Sequence, residues 1–238
     1  MAVLIAVMGS DSRYAHLAEL LRAEGHALVE PADAALIVTG SPSPAGLPAG
    51  KRMATCGPRP APEGHFDLLK DEEYLADVAY MTAEGAVSAA MAASDATVRG
   101  SAALVVGWGR IGKALTKLLF SLGARATVLT RRPSAYAEIE ALGARAAPTD
   151  RAAEEIEGKR LVFSTSPALV LDENTLKRAD KNAHIIDLAS PPYGVDLDAA
   201  RALGLRAWRE PGLPGRYCPE SAARAILAAL RRGGALND

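Results

Sequence analysis

The chain has 238 residues, enough for one large domain or two modest ones, and 49% of them are apolar, which supplies a sizeable core. A formal net charge of −1 with no long basic run excludes the broad electrostatic footprint of a nucleic-acid-binding protein. The two cysteines, Cys56 and Cys218, lie far apart and match no zinc spacing, which points to a reducing, cytoplasmic compartment and to no metal site.

In chain order, Val3–Met8 is continuously apolar, the pattern of a strand buried on both faces. It is too short to span a membrane and lacks a basic n-region, so it reads as a first strand and not a signal peptide. No other stretch approaches spanning length. Ser10–Arg13 supplies a turn with capping residues, and Tyr14–Glu24 reads as a helix with Leu17, Leu20 and Leu21 on one face and Gly25 as its stop. Ala27–Glu30 and Leu36–Thr39 read as short strands. Residues 40–64, GSPSPAGLPAGKRMATCGPRPAPEG, predict an irregular loop, because proline donates to neither ladder nor helix. Composition leaves open whether that loop is an ordered lid or a linker. From Asp71 the chain turns helical through YLADVAY. MTAEGAVSAAMAAS, residues 81–94, follows as a helix connecting two domains, with Thr82 as its N-cap. Strands are then expected at 102–106, 125–130, 144–147, 160–164, 184–188 and 205–209. Helical patterns lie between most of them, which implies a parallel sheet with right-handed crossovers. Residues 219–232 form a last apolar-faced helix ending at Gly233–Gly234. The expected domains are residues 1–81, joined by the C-terminal segment 219–238, and residues 82–218.

Gly107, Gly109 and Gly112 spell G-x-G-x-x-G between an apolar strand and a helix that ends at Gly123, with a second strand directly after. That context is what a dinucleotide-binding Rossmann unit requires. Gly107 allows the tight turn, Gly109 lets the backbone approach a diphosphate, and Gly112 lets helix and strand pack closely. Arg110 and Ile111 open the helix whose N–H groups and partial positive charge meet the phosphates. An acid at the end of the second strand would hold both ribose hydroxyls of NAD. This chain places Thr130, Arg131 and Arg132 there, which suit the 2′-phosphate of NADP, with NAD as the alternative. The plainer reading makes the arginines solvated charges at a loop start, and Glu138 and Glu140 solvent-facing acids. Three further strand ends are small, polar or Pro/Gly turns suited to close approach of a flat ring. They are Ser164, Thr165, Ser166 and Pro167; the DLASPPYG stretch containing Leu188 and Ala189; and EPGLPG with Pro211, Gly212, Leu213 and Pro214. Ordinary connecting turns would account for any one of them.

On these residues the chain resembles the A subunit of dipicolinate synthase. The resemblance is carried by IAVMGSDSRYAHLAELLRAEGHAL, MTAEGAVSAAMAASDATVRGS, GWGRIGKALTKLLFSLGARATVLTRR, IIDLASPPYGVD and PGLPGRYCPESAARAIL, and it covers most of the chain. The segment between about Leu36 and Tyr80 is shorter than that family usually has, and PPYG departs from its pattern. The resemblance implies two Rossmann-like α/β domains, the larger a doubly wound parallel sheet that binds the dinucleotide and the N-terminal one shortened. It also implies oxidation of a dihydrodipicolinate-type intermediate to pyridine-2,6-dicarboxylate with NADP or NAD, in a sporulating cell, together with a flavoprotein-like B subunit.

A dicarboxylate substrate needs cationic or N–H anchors. Arg13 is the first choice, with Ser10 and Ser12 adding hydroxyls and Asp11 orienting the guanidinium; the alternative makes Asp11 or Ser12 an N-cap and Arg13 a solvated first-turn residue. The resemblance would aim the start of the connecting helix into the cleft between the domains. There Thr82 would bond a carboxylate, Gly85 would allow close approach, and Glu84 would be either a base or a first-turn acid. Arg216 would bind the second carboxylate or be a surface arginine. Asp187 would order its loop or act as an acid or base. The histidines 16, 26, 65 and 184 are scattered and mark no triad or metal site. Two other readings stay open: a two-domain dehydrogenase of a different small carboxylic acid, and a nucleotide-sensing module without turnover. Paired dehydrogenase domains often dimerise, which leaves a homodimer open.

Overall fold

The computed structural model describes residues 2–40, 48, 50–55 and 65–237. Contacts divide the chain into one unit of Met1–Met81 with Leu213–Asp238, and a second of Thr82–Gly212.

In the first unit, β1 (Leu4–Met8), β2 (Ala27–Leu28), β3 (Leu36–Thr39), β4 (Arg52–Thr55) and β5 (Phe66–Asp67) form one parallel sheet in the order β2-β1-β3-β4-β5. β3 is buried along its whole length, as its unbroken apolar run requires. Helix α1 (Ser12–Ala23) starts at Asp11, whose side chain accepts the Arg13 N–H. α8 (Leu213–Tyr217) and α9 (Pro219–Arg232) return to this unit. α9 packs on α1, where Leu17 and Leu21 share a core with Ile226 and Leu230. Arg232 also pairs with Asp71 at 2.8 Å.

Two expectations fail here. Arg52–Thr55, inside the stretch predicted to be irregular, is a strand paired with β3 in the register Leu36↔Arg52 to Thr39↔Thr55. Prolines crowd the segment, but Arg52–Thr55 itself has none, so every N–H there can donate to a ladder. The rest of that predicted loop, residues 41–47, 49 and 56–64, lies outside the described residues. The helix expected to begin at Thr82 is instead the second half of α2 (Glu72–Ala93), which is continuous across the boundary between the units. Its N-terminus is set by Asp71, which accepts the Tyr74 N–H at 2.8 Å. No proline interrupts the run, and the lone Gly85 costs only about 1 kcal/mol against alanine.

In the second unit, β6 (Ala102–Val106), β7 (Arg125–Leu129), β8 (Arg145–Ala147), β9 (Leu161–Ser164), β10 (His184–Asp187) and β11 (Arg206–Arg209) form a six-stranded parallel sheet ordered β11-β10-β9-β6-β7-β8. Each strand lies within one residue of its predicted span. The order is that of a doubly wound dinucleotide fold, and the winding reverses between the neighbours β6 and β9. Leu104, Val106, Leu129, Val162 and Ile185 fill one face of the sheet. Helix α3 (Arg110–Ser121) buries Leu115 and Leu119 on its apolar side.

His184 opens β10 with its ring buried edge-on to Trp208, centroids 6.2 Å apart, and neither ring nitrogen has a partner among the described residues. Burial, then repulsion from Arg160 and Arg206, holds it below the ordinary histidine range. Its unfolded state therefore binds protons first as pH falls. Its contribution to stability is complete above about pH 6.5 and is lost as acid approaches the lowered native value. His184→Leu should flatten the drop in urea midpoint between about pH 7 and pH 5. A drop of unchanged size in the variant would assign the acid sensitivity to other groups.

Candidate dinucleotide site

The three glycines of the motif are there for three different reasons. Gly107 leaves β6 with φ +108, outside the range that side chains favour, and a Cβ on it would lie 2.6 Å from Thr165 Oγ1. A Cβ on Gly112 would lie 2.1 Å from the Gly107 carbonyl oxygen, so the first turn of α3 could not pack on the strand end. Gly109 has ordinary extended angles, φ −89 and ψ −170, and a Cβ there would meet nothing within 4 Å. The protein's own packing gives no reason for that glycine. It keeps clear the space outside the N-terminus of α3, where no side chain caps the helix and the first-turn N–H groups hold the positive end of the dipole. That space is a depression of about 230 Å³ whose lining includes Gly107, Gly109, Thr130, Arg131, Thr165 and Ser166. It sits at the carboxyl ends of β6, β7 and β9, where the winding reverses.

β7 delivers the next group. Thr130 is buried, and its Oγ1 accepts the Arg132 N–H at 3.2 Å. The Arg132 guanidinium donates to the Trp108 carbonyl at 2.6 Å, which ties it to the glycine loop. Arg131 is exposed and has no hydrogen bond or ion pair among the described residues. Glu138 is exposed as expected but not merely solvated. It accepts from Lys113 Nζ at 2.7 Å and from Trp108 Nε1 at 2.9 Å, and these two bonds hold its carboxyl below the usual range. Lys113 lies 5.6 Å from the centre of the Trp108 ring. Trp108, Lys113 and Glu138 do not stand out in the sequence, since their contacts join residues about thirty positions apart. Only Trp108 occupies a variable position of the motif; Lys113 follows its last glycine and Glu138 lies in a later helix.

The turns after β9 and β10 are fixed from within. Thr165 Oγ1 donates to the Val106 carbonyl at 3.0 Å, and Ser166 and Pro167 line the depression. Ser164 is fully buried, with Oγ lacking a partner among the described residues and lying where a Gly194 Cβ would stand. Asp187 is 0% exposed; its carboxylate accepts the N–H groups of Ala189 and Gly194, and Arg209, stacked 3.5 Å over the Tyr193 ring, approaches it to 3.6 Å. The proton-acceptor reading of Asp187 therefore gives way to the loop-ordering one: it offers no accessible oxygen. Leu188, bonded through its N–H to the Ser164 carbonyl, and Ala189 are held in place by this arrangement. The last predicted turn is split. Pro211 and Gly212 are exposed at the end of the second unit, whereas Leu213 and Pro214 are buried at the start of α8 in the first unit and present no surface to a coenzyme.

In the first unit, Gly9, Ser10, Asp11, Arg13, Tyr14 and Gly40 border a depression of about 570 Å³ beyond β1 and β3, where that sheet also reverses its winding. Arg13 bonds Asp11 through Nε at 2.8 Å and a terminal nitrogen at 2.7 Å. That bond holds Asp11 below its ordinary value despite some burial. Burial opposes the charge on Arg13, but the bond to Asp11 and the attraction of Tyr14, Asp11 and Tyr74 outweigh it and keep the guanidinium above its ordinary range. Ser12 Oγ donates to the Gly215 carbonyl at 3.1 Å, which brings the α8 turn against this loop. Arg216, next in that turn, is exposed and lies 5.6 Å from the Tyr217 ring. Thr82 and Gly85 are buried and Glu84 is exposed, all in mid-α2 within the second unit. Glu84 is thus no first-turn acid, and Thr82 caps nothing. Among the described residues no group of three or more His, Cys, Asp or Glu could hold a metal ion, and no helix is long and apolar enough to cross a membrane.

No family model matches the chain. It is 31% identical to the A subunit of dipicolinate synthase from Bacillus subtilis over 151 residues, 63% of this chain, and the match spans only about half, 51%, of that protein. Among solved structures, the same A subunit from Bacillus subtilis superposes with a TM-score of 0.86 at 22% identity, covering 99% of this chain and 96% of the other. The A subunit of dipicolinate synthase from Bacillus halodurans gives 0.83 at 22%, covering 99% and 98%. A transhydrogenase from Sinorhizobium meliloti gives 0.75 at 17%, covering 99% and 86%. In sequence over those 151 residues, and in fold over nearly its whole length, this chain is similar to the A subunits of dipicolinate synthase.

Proposed function

We propose that the chain is an oxidoreductase subunit that oxidises a dihydrodipicolinate-type ring to pyridine-2,6-dicarboxylate with NADP. The observation that carries the coenzyme reading is Gly109, a glycine with no internal reason for being one, at an open helix N-terminus beside the unpartnered Arg131. The relationship to the A subunit of dipicolinate synthase supports the substrate. The coenzyme, when bound, supplies the hydride acceptor; the ring loses that hydride and one proton as it becomes aromatic. The glycine-loop amides, with Arg110 and Ile111, bind the diphosphate, and Thr130, Arg131 and Arg132 bind the 2′-phosphate. Ser164–Pro167, Leu188, Ala189, Pro211 and Gly212 border the nicotinamide half, with Asp187 holding the β10 loop in shape. Arg13, oriented by Asp11 beside Ser10, takes one substrate carboxylate, and Arg216 takes the other. Thr82, Glu84 and Gly85 are assigned to the substrate side, with Glu84 the exposed candidate for the proton. The partner is a B subunit, and the compartment is the cytoplasm.

No histidine stands at the carboxyl end of the second sheet to serve a 2-hydroxy acid. His184 lies at the opposite end of β10, and His26 is engaged by the Val3 N–H. The test supplies the purified chain with enzymatically generated intermediate and NADP, with and without a B subunit. It should yield NADPH and pyridine-2,6-dicarboxylate in equal amounts. NADP binding without turnover in either condition would make the chain a sensor; turnover of a simple 2-hydroxy or 2-amino acid would replace the substrate and keep the site.

A further inference from the structure

The end of the second unit's sheet opposite the glycine loop carries a depression of its own. The amino-terminal ends of β6, β7 and β8 frame about 500 Å³ with a largely apolar lining of Ala102, Ala124 and Ala126. Phe120 stands beside it, 54% exposed on the last turn of α3. Three cations, Arg125, Arg145 and Lys159, border the same space. Arg145 pairs with the buried carboxylate of Glu155. Arg125 and Lys159 have no carboxylate partner among the described residues, and the one hydrogen bond of the Lys159 ammonium there is from Nζ to Thr127 Oγ1 at 3.0 Å. Burial, then repulsion from Arg145 and Arg125, holds the Lys159 ammonium below its ordinary range. A half-buried cation facing two others is unfavourable for the free protein. Packing alone would be served better by an apolar side chain of the same length.

We propose that this depression binds a small organic acid, a carboxylate or phosphate with a flat apolar body. Its anionic head bridges Arg125 and Lys159, and its body lies on the alanines and the Phe120 ring. The arrangement combines the two halves of a small-molecule site, an apolar wall and convergent charges. It is separate from the glycine loop, being at the other end of the same strands, so it does not rest on the function proposed above.

The test reads Lys159 itself. The lysine Cε resonances of the full chain are recorded, with Lys159 assigned by its absence in Lys159→Met, which keeps the apolar stem. Phenyl phosphate, benzoate, inorganic phosphate and chloride are titrated at constant ionic strength. Phenyl phosphate or benzoate should shift the Lys159 signal saturably and raise its titration midpoint. Arg125→Ala, an exposed position that leaves the fold intact, should weaken that binding roughly tenfold or more, the effect of one charge-assisted hydrogen bond. A shift that never saturates and equals that of chloride overturns the proposal. So does an affinity unchanged in Arg125→Ala. Inorganic phosphate binding as tightly as phenyl phosphate overturns the assigned ligand class, because the apolar wall would then contribute nothing.

Discussion

Gly109→Ala should leave the ligand-free protein as stable as before and cost at least roughly 100-fold in dinucleotide affinity, whereas Gly112→Ala should destabilise the protein itself. The contrast comes from where each added methyl group would go. At position 109 it enters open space. Alanine there loses less chain entropy on folding, worth about 0.4–1 kcal/mol, and caps a helix somewhat worse, so the two effects nearly cancel. The methyl then occupies the approach that a diphosphate needs to reach the α3 amides. At position 112 the methyl would lie 2.1 Å from a main-chain carbonyl oxygen, which no rotamer can relieve. Overpacking of this kind costs about 1–3 kcal/mol, and a clash with backbone belongs at the top of that range. Urea denaturation of each ligand-free variant and calorimetric titration with NADP separate the two effects. If Gly109→Ala binds NADP as tightly as the parent, the diphosphate does not lie over that glycine.

The second sheet is readable from the sequence because its strands are buried on both faces and therefore appear as unbroken apolar runs, as in Ala102–Val106 and Leu161–Ser164. β4 and β5 are not readable. Four residues and two residues, set among prolines, carry no period of their own and gain their structure from pairing, β4 on β3 and β5 on β4. Thr82 misleads because threonine followed by an acid imitates a helix start, while the true cap, Asp71, lies eleven residues earlier. In the site, the motif announces the glycines because each answers a local backbone need. The Trp108–Glu138–Lys113 cluster does not show, since only the fold brings its members together. Asp187 shows the same limit from the other side. An acid at a strand end is chemically eligible for proton transfer, and only its complete burial and its two N–H donors reveal that it holds a loop.

The arginine pair after β7 should divide its work between coenzyme selection and loop anchoring. Arg131 has no partner among the described residues, so Arg131→Ala removes only what it gives a ligand. A charge-assisted bond to a phosphate is worth about 1.5–3 kcal/mol, so NADP should weaken about 10- to 150-fold while NAD stays within about threefold. Arg132 also holds the Trp108 carbonyl, the residue between Gly107 and Gly109. Arg132→Ala should therefore weaken both coenzymes, NADP more than NAD, because it removes a phosphate ligand and loosens the loop over which either diphosphate lies. Titrations at two salt concentrations add an independent mark. The NADP preference of the parent should shrink as ionic strength rises, and Arg131→Ala should lose most of that salt dependence. Equal losses of NAD and NADP in Arg131→Ala would mean that this guanidinium meets a group common to both coenzymes, such as the adenine ring or the diphosphate, and the case for NADP at this strand end would fall with it.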